Sequence, residues 1–264
     1  MKVNGKVVVV TGAGSGMGRQ LTIELVGKGA KVAAIDFRAE TLEETKKLAG
    51  GTVETFVLDV TDAAGVAALP ALVEAKLGPV DGIINNAGII QPFVMIKDLT
   101  LEQATKVMNV NFTGPLMMVK AFLPGLLTRP EAHILNVSSM GAYAPVPGQS
   151  VYGASKAAVK LFTEGLRSEL MDTKVGVTVV FPGAINTNIS VNSGMAMPAN
   201  ADEQAAKFKT TEAPVAAAAM IDAIENNKPR ITIGSDATMM DRLSRLNPVM
   251  AANVIYKQMK SLLG

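Results

Sequence analysis

Short apolar runs rich in β-branched residues recur along the 264-residue chain, separated by longer stretches in which apolar positions return every three or four residues. The first period suits a buried strand and the second a helix packed on one face. The runs at 6–10, 31–35, 52–58, 82–85, 132–137, 175–181 and 230–233 are predicted strands. Helical periodicity falls at 17–28, 39–48, 62–77, 100–127, 151–171 and 212–226. Strict alternation of the two kinds predicts an α/β fold of one domain, 1–264, with a doubly wound, seven-stranded, mainly parallel sheet flanked by helices. Segment 188–211 breaks the pattern with small and polar residues and is expected to be an insertion, a substrate lid. Segment 236–264 is expected to be a C-terminal helical extension. Open sheets of this kind bind ligands beyond the carboxyl ends of their strands, so chemistry is sought there.

Composition narrows the possibilities. With 48% hydrophobic and only 18% charged residues, much of the surface is expected to lie in a core or under a partner, which favours self-association. A formal charge of +2 with acids and bases interleaved gives no basic stripe for nucleic acid. The chain has no cysteine, so disulfides, thiolate metal sites and cysteine nucleophiles are excluded. His133, the one histidine, precedes an apolar strand without ligand partners; it is read as structural, and no metal is expected. The apolar start is too short for a signal segment, and no stretch is expected to approach the roughly 18 apolar residues of a membrane span. The expectation is a cytoplasmic protein with no membrane partner.

Directly after the first strand comes Thr11-Gly-Ala-Gly-Ser-Gly-Met-Gly18 and then a predicted helix. Glycines allow a tight turn and close approach, and free amides at a helix N-terminus attract a pyrophosphate. The common G-x-G-x-x-G spacing is not met, because Met17 and Arg19 stand at its third place in the two possible registers. Asp36 closes the second strand, where a carboxylate can accept from both hydroxyls of an adenosine ribose and repel a 2′-phosphate. Arg38 offers the opposite charge and is read as a solvated residue at a helix start. Asp59-Val60 and Asn85-Asn86-Ala87-Gly88 follow the third and fourth strands; for Asp59 a helix-capping role competes, with Thr61 and Asp62 the better caps.

A second group clusters later. Tyr152 and Lys156 stand four apart in a predicted helix and so share one face. An ammonium beside a phenol favours the phenolate and brings the tyrosine toward service as a general acid/base. Ser139 ends the fifth strand, where its hydroxyl can hold and polarise a substrate carbonyl, a turn-forming role being the alternative. Ser138, one residue earlier, points to the other face and is expected to be structural. Asn111, with Asn109 as the competing choice, sits inside the 100–127 helix, a poor place for an amide that competes for backbone bonds. Phe181-Pro-Gly-Ala-Ile-Asn-Thr187 follows the sixth strand.

In order and placement these motifs resemble the short-chain dehydrogenase/reductase family, whose loop has the form T-G-x-x-x-G-x-G, met here by Thr11, Gly12, Gly16 and Gly18. The resemblance spans about residues 5–187 and implies a Rossmann fold. It further implies catalytic roles for Asn111, Ser139, Tyr152 and Lys156, with Asn111 holding a water that links Lys156 to solvent. The cofactor contacts it implies are Gly12, Ser15, Gly16, Met17, Gly18, Asp36, Phe37, Asp59, Val60, Asn86, Ala87, Gly88, Tyr152, Lys156, Pro182, Gly183, Ile185 and Thr187. The expected reaction passes a hydride between NAD(H) and a secondary alcohol or ketone, the alternative being an NADP(H)-dependent carbonyl or 3-ketoacyl reductase. A non-catalytic redox sensor on the same scaffold is the reading from another class. Met195 and Met197 fall in the lid segment and favour a mostly apolar substrate. The family resemblance also implies a homodimer or homotetramer.

Overall fold

The structure is a computed structural model that describes residues 1–187, 189–194 and 210–260. In chain order the elements begin β1 (Val7–Thr11), α1 (Gly16–Gly27), β2 (Lys31–Asp36), α2 (Ala39–Ala49), β3 (Val53–Val57), α3 (Ala63–Leu77) and β4 (Gly82–Asn85). Then follow α4 (Leu101–Met108), a π-helical turn (Asn109–Thr113), α5 (Gly114–Leu127), β5 (Ala132–Val137), a 3₁₀ turn (Met140–Ala142), α6 (Ser150–Glu169) and β6 (Val175–Pro182). The chain continues with β7 (Ile185–Asn186), α7 (Ile189–Asn192), β8 (Thr211–Glu212), α8 (Ala213–Glu225), β9 (Arg230–Ile233), α9 (Ser235–Leu246) and α10 (Pro248–Met259).

The main sheet runs β3-β2-β1-β4-β5-β6-β9, and each neighbouring pair in it is parallel. Order reverses between β1 and β4, so the carboxyl ends of these two strands border the crevice where such sheets take ligands. β1 shows why a continuous apolar run makes a strand here. Its alternate residues Val8 and Val10 enter one core cluster, under α1 and α8. Val7 and Val9 enter another, under α3, α5 and α6. A strand covered on both faces needs apolar residues at both parities.

The predicted strands and principal helices agree with the observed ones to within two residues at each end. The short β7, β8 and α7 fall in or beside the segment expected to be an insertion. Met195 and Met197 of that segment lie outside the described residues.

The 100–127 helix corrects two expectations. It is interrupted by the π turn at Asn109–Thr113. Its Leu101–Leu127 run is also long and apolar enough, by length and composition, to cross a membrane, which a count of uninterrupted apolar residues hides. In this fold its Val107, Met118, Val119, Phe122 and Leu126 are buried. Most of them join the core cluster beneath the sheet, alongside residues of α3 and α6.

The C-terminal pair α9 and α10 forms its own small core. Met240, Ala251 and Ile255 pack on Ala144, with Met140 and Tyr143 alongside. The Tyr143 hydroxyl donates to the Ala237 carbonyl at 2.9 Å. The extension is thereby fastened to the turn that follows Ser139.

Candidate active site

At the carboxyl end of β1 the chain turns into α1, whose capping residue Ser15 makes no side-chain bond to the first helical turn. A helix start leaves its first amides without helical acceptors, and two residues of that turn, Gly16 and Met17, line a cavity of about 250 Å³. Gly12, Ser15, Gly16 and Met17 line it, together with Asp36, Phe37, Asp59, Val60, Asn86, Ala87, Gly88 and Thr187. Twelve of the residues read as cofactor contacts thus converge on one cleft.

Others take different places. Gly18 stands behind the loop, where a Cβ would fall 2.0 Å from the Gly12 carbonyl oxygen, so it is a packing glycine. Pro182 ends β6 in the core, and Ile185 lies in β7. Gly183 is pressed against the carboxylate of Asp236, which accepts from the Ala184 amide at 2.8 Å and fixes the turn from α9.

Asp36 is buried and accepts from the Gly14 amide at 3.0 Å and the Arg38 amide at 3.2 Å. Arg38 departs from the solvated role expected of it, because it lines the cleft. Its Nη1 donates to Asn192 Oδ1 at 3.0 Å, and Asn192 Nδ2 donates to Ser15 Oγ at 2.9 Å. A bridge from α2 through α7 to the glycine loop therefore crosses the cleft. Asp59 accepts from both the amide and the hydroxyl of Thr61, at 2.9 and 2.8 Å, while Asp62 caps α3. Asp59 is accordingly a turn former at the cleft wall. Thr11 anchors the opposite wall, its hydroxyl accepting from the amides of Asn86 and Ala87 at 3.0 Å each.

The floor of the cleft joins the second group. Lys156 is buried in α6, and its Nζ donates to the Val137 carbonyl at 3.0 Å. A Cβ on Gly88 would lie 3.2 Å from Lys156 Nζ and 3.3 Å from Asn111 Oδ1, so both groups rest on this one residue. Asn111, fully buried in the π turn, donates to the Ile89 carbonyl at 2.9 Å and accepts from the Ile89 amide at 2.8 Å. It also donates to Ser155 Oγ at 3.0 Å. Asn109 is exposed, so of the two asparagines it is Asn111 that sits inside the site. A π turn widens the helix by one residue and recurs at functional sites.

Ser139 leaves β5 in extended conformation, and its Oγ accepts from the Gly141 amide at 3.0 Å. Its side chain and the Tyr152 ring border the same residue, Gly141, where a Cβ would lie 3.5 Å from Ser139 Oγ and 3.3 Å from Tyr152 Cε1. Ser138 is structural as expected, donating to the Lys156 carbonyl at 2.7 Å and so tying β5 to α6. Burial raises the Tyr152 phenol above its ordinary pKa, and the neighbouring Ser139 hydroxyl opposes that rise. Burial pushes the Lys156 ammonium down to about 8. His133 lies at the other end of the sheet, paired with Thr178 at 2.8 Å and held to about 3 by burial. Among the described residues no cluster of metal-binding side chains occurs.

Sequence reasoning missed Gln91, Asn192, Ser193 and Asp236 at or around the site. Each acts through a partner remote in sequence, so no local spacing announces it.

Comparison with known proteins agrees with this geometry. The family model described as short chain dehydrogenase matches residues 6–197. A Mycobacterium tuberculosis protein, SadH, whose name describes it as an oxidoreductase, is 36% identical over 251 residues, covering 92% of this chain and 91% of its own. A short chain dehydrogenase/reductase from Burkholderia phymatum, solved in complex with NAD, superposes with a TM-score of 0.86 at 27% identity, covering 95% and 96% of the two chains. A short chain dehydrogenase from Burkholderia cenocepacia J2315, solved in complex with NADP, gives 0.82 at 29%, covering 97% and 99%.

Proposed function

The chain belongs to the short chain dehydrogenase family and is an oxidoreductase, and from that premise we propose that it exchanges a hydride between NAD(H) and a mostly apolar secondary alcohol or its ketone. The observation that carries the reading is that Tyr152 and Ser139 both border Gly141, while Lys156, four residues along the same helix as Tyr152, rests with Asn111 on Gly88 at the wall of the cleft.

The cleft fits a dinucleotide. The uncapped start of α1 suits the pyrophosphate, and Asp36 has lone pairs left for the two hydroxyls of the adenosine ribose. A 2′-phosphate would face the Asp36 carboxylate at the same place. When bound, the nicotinamide supplies or takes the hydride.

The rest of the chemistry falls to side chains. In oxidation Tyr152, as phenolate, takes the hydroxyl proton; in reduction the phenol returns it. Lys156, charged below about pH 8, stabilises the phenolate by its positive charge. Ser139 Oγ accepts from Gly141, and its one proton, shared with the Tyr152 oxygen in the free site, can bond the substrate oxygen when substrate binds. Asn111 Oδ1, with one amide bonded, keeps a lone pair beside Lys156 for a water that links the lysine to solvent.

One observation favours a second reading, an NADP(H)-dependent reductase: Arg38 lines the cleft next to Asp36, with its Nε 3.8 Å from Asp36 Oδ1. A panel of ketones assayed with NADH and with NADPH separates the two. Cyclohexanone and acetophenone represent the apolar class, hydroxyacetone and acetoin the hydrophilic one. The expectation is kcat/KM about tenfold or more in favour of NADH, worth ~1.4 kcal/mol, and higher for the apolar ketones. Parity or an NADPH preference would overturn the cofactor assignment; preference for the ketols would overturn the substrate class.

A further inference from the structure

Tyr152 is the third residue of α6, and that helix begins without a cap of its own, because Gln149 in the capping position makes no side-chain bond to the first turn. The missing acceptor comes from the segment after β4. Gln91 Oε1 accepts from the amides of Val151 and Tyr152 at 2.8 and 2.9 Å. Gln91 Nε2 donates to the Gly148 carbonyl at 2.8 Å, and Gln149 Nε2 donates back to the Gln91 carbonyl at 2.7 Å. Both glutamines are buried. The residues just before Gln91 are also held: Ile89 by Asn111 through both backbone groups, and Ile90 through its amide by Ser193 Oγ at 3.0 Å. Residues 88–91 are thus a strap that runs from the cleft floor, past the π turn, to the start of the helix bearing Tyr152.

We infer that Gln91 is a positioning residue for the reaction, holding the first turn of α6, and Tyr152 with it, in register with the cofactor floor at Gly88. The inference rests on the reading of Tyr152 as the proton-transferring group. An amide suits this place chemically. One oxygen with two lone pairs meets two amides that a helix start leaves unsatisfied, and the nitrogen meets the carbonyl of the preceding loop. Methionine keeps the length of the side chain and removes those bonds. Glutamate keeps the acceptor, loses the donor and sets a negative charge on the backbone amide of the residue that carries the phenol.

The test uses the full chain with Gln91→Met, Gln91→Glu and Tyr152→Phe. It reads amide hydrogen exchange, NADH binding by fluorescence titration, and steady-state turnover with the best ketone of the panel. For Gln91→Met, exchange at Val151 and Tyr152 should quicken about tenfold or more while β5 and β6 stay protected. Its kcat should fall about 10- to 100-fold, the scale of a misplacement near 1 Å, with the KM for NADH within about twofold of wild type. Gln91→Glu should restore protection of the two amides and move the half-maximal kcat for alcohol oxidation to higher pH, since a carboxylate opposes the phenolate.

Wild-type kcat in Gln91→Met, or unchanged exchange at the two amides, would overturn the inference. So would a fall in kcat matched by an equal loss of NADH-binding sites, the mark of a partly unfolded population. If Gln91→Met does not fold, Gln91→Glu decides: a displaced pH profile supports the inference and an unmoved one overturns it. Inactive Tyr152→Phe beside fully active Gln91→Met sinks the positioning role alone. Active Tyr152→Phe sinks the reading of the site, and this inference with it.

Discussion

The two ends of the sheet use buried polar groups in opposite ways. At the amino end, Asp81 accepts from the Val7 amide at 3.0 Å and from Arg129 Nε at 2.9 Å, with Lys6 at 3.5 Å. His133 pairs with the Thr178 hydroxyl, which donates to the Lys228 carbonyl at 2.7 Å. At the carboxyl end, among the described residues, Asn85 Oδ1, Asn86 Oδ1, Gln149 Oε1 and Arg38 Nε are buried without a hydrogen-bond partner, Arg38 Nε having only the Asp36 carboxylate at 3.8 Å. Two of those four residues, Asn86 and Arg38, line the cleft. Buried polar atoms are normally satisfied because an unmet one costs ~1–3 kcal/mol. Unspent bonding capacity gathered at one end therefore marks the working end, and the satisfied end serves stability.

Substitutions can break this contrast. The largest effect belongs to the carboxyl end: Tyr152→Phe should lower kcat about 10²- to 10⁴-fold, while NADH titration and thermal midpoint stay near wild type. At the amino end, Asp81→Ala should do the reverse. It removes a buried carboxylate from Arg129, Lys6 and Val7 and is expected to cost about 2–3 kcal/mol in urea unfolding, with kcat per folded chain unchanged. A large drop in that kcat would dissolve the division between the ends.

Smaller effects sharpen it. Asp36→Ser should narrow the NADH-to-NADPH ratio of kcat/KM about tenfold, ~1.4 kcal/mol, by removing the charge a 2′-phosphate would meet; an unchanged ratio would remove Asp36 from cofactor choice. His133→Gln should matter least at neutral pH. Burial holds the His133 pKa at about 3, against 6.5 when unfolded. Between these values the unfolded chain binds the extra proton, so His133 favours the folded state above pH 6.5 and that contribution is lost as pH falls toward 3. Urea unfolding at a series of pH values should show a flatter acid limb for His133→Gln; equal limbs would mean that another group sets the slope.

Legibility in the sequence followed the distance between partners. The fold was readable because each strand and helix carries its own period, as the valines of β1 and the stripe of α6 do. The glycine loop, Asp36, Ser139, Tyr152 and Lys156 were readable because each sits in a short motif next to a strand end. What stayed hidden depends on closure in space. Gln91 meets Tyr152 across 61 positions, Ser193 meets Ile90 across 103, and Asn192 meets Ser15 across 177. Arg38 was misread for the same reason, because exposure is the usual fate of an arginine at a helix start and only the fold brings Asn192 to it. Asn111 lies between the two cases: an amide within a helix signalled a purpose, and the π turn with its clamp on Ile89 shows part of it.

The central claim, a hydride passed between nicotinamide and a carbinol carbon with Tyr152 moving the proton, meets its most direct test in isotope transfer. NADH deuterated at the transferring carbon is mixed with cyclohexanone or acetophenone and the product alcohol is weighed by mass spectrometry. The expected result is one deuterium on the carbinol carbon with the wild-type chain and, with Tyr152→Phe, deuterated alcohol formed at a rate about 10²- to 10⁴-fold lower. Deuterated alcohol formed equally by both chains, or tight NADH binding with no ketone of the panel reduced, would contradict it.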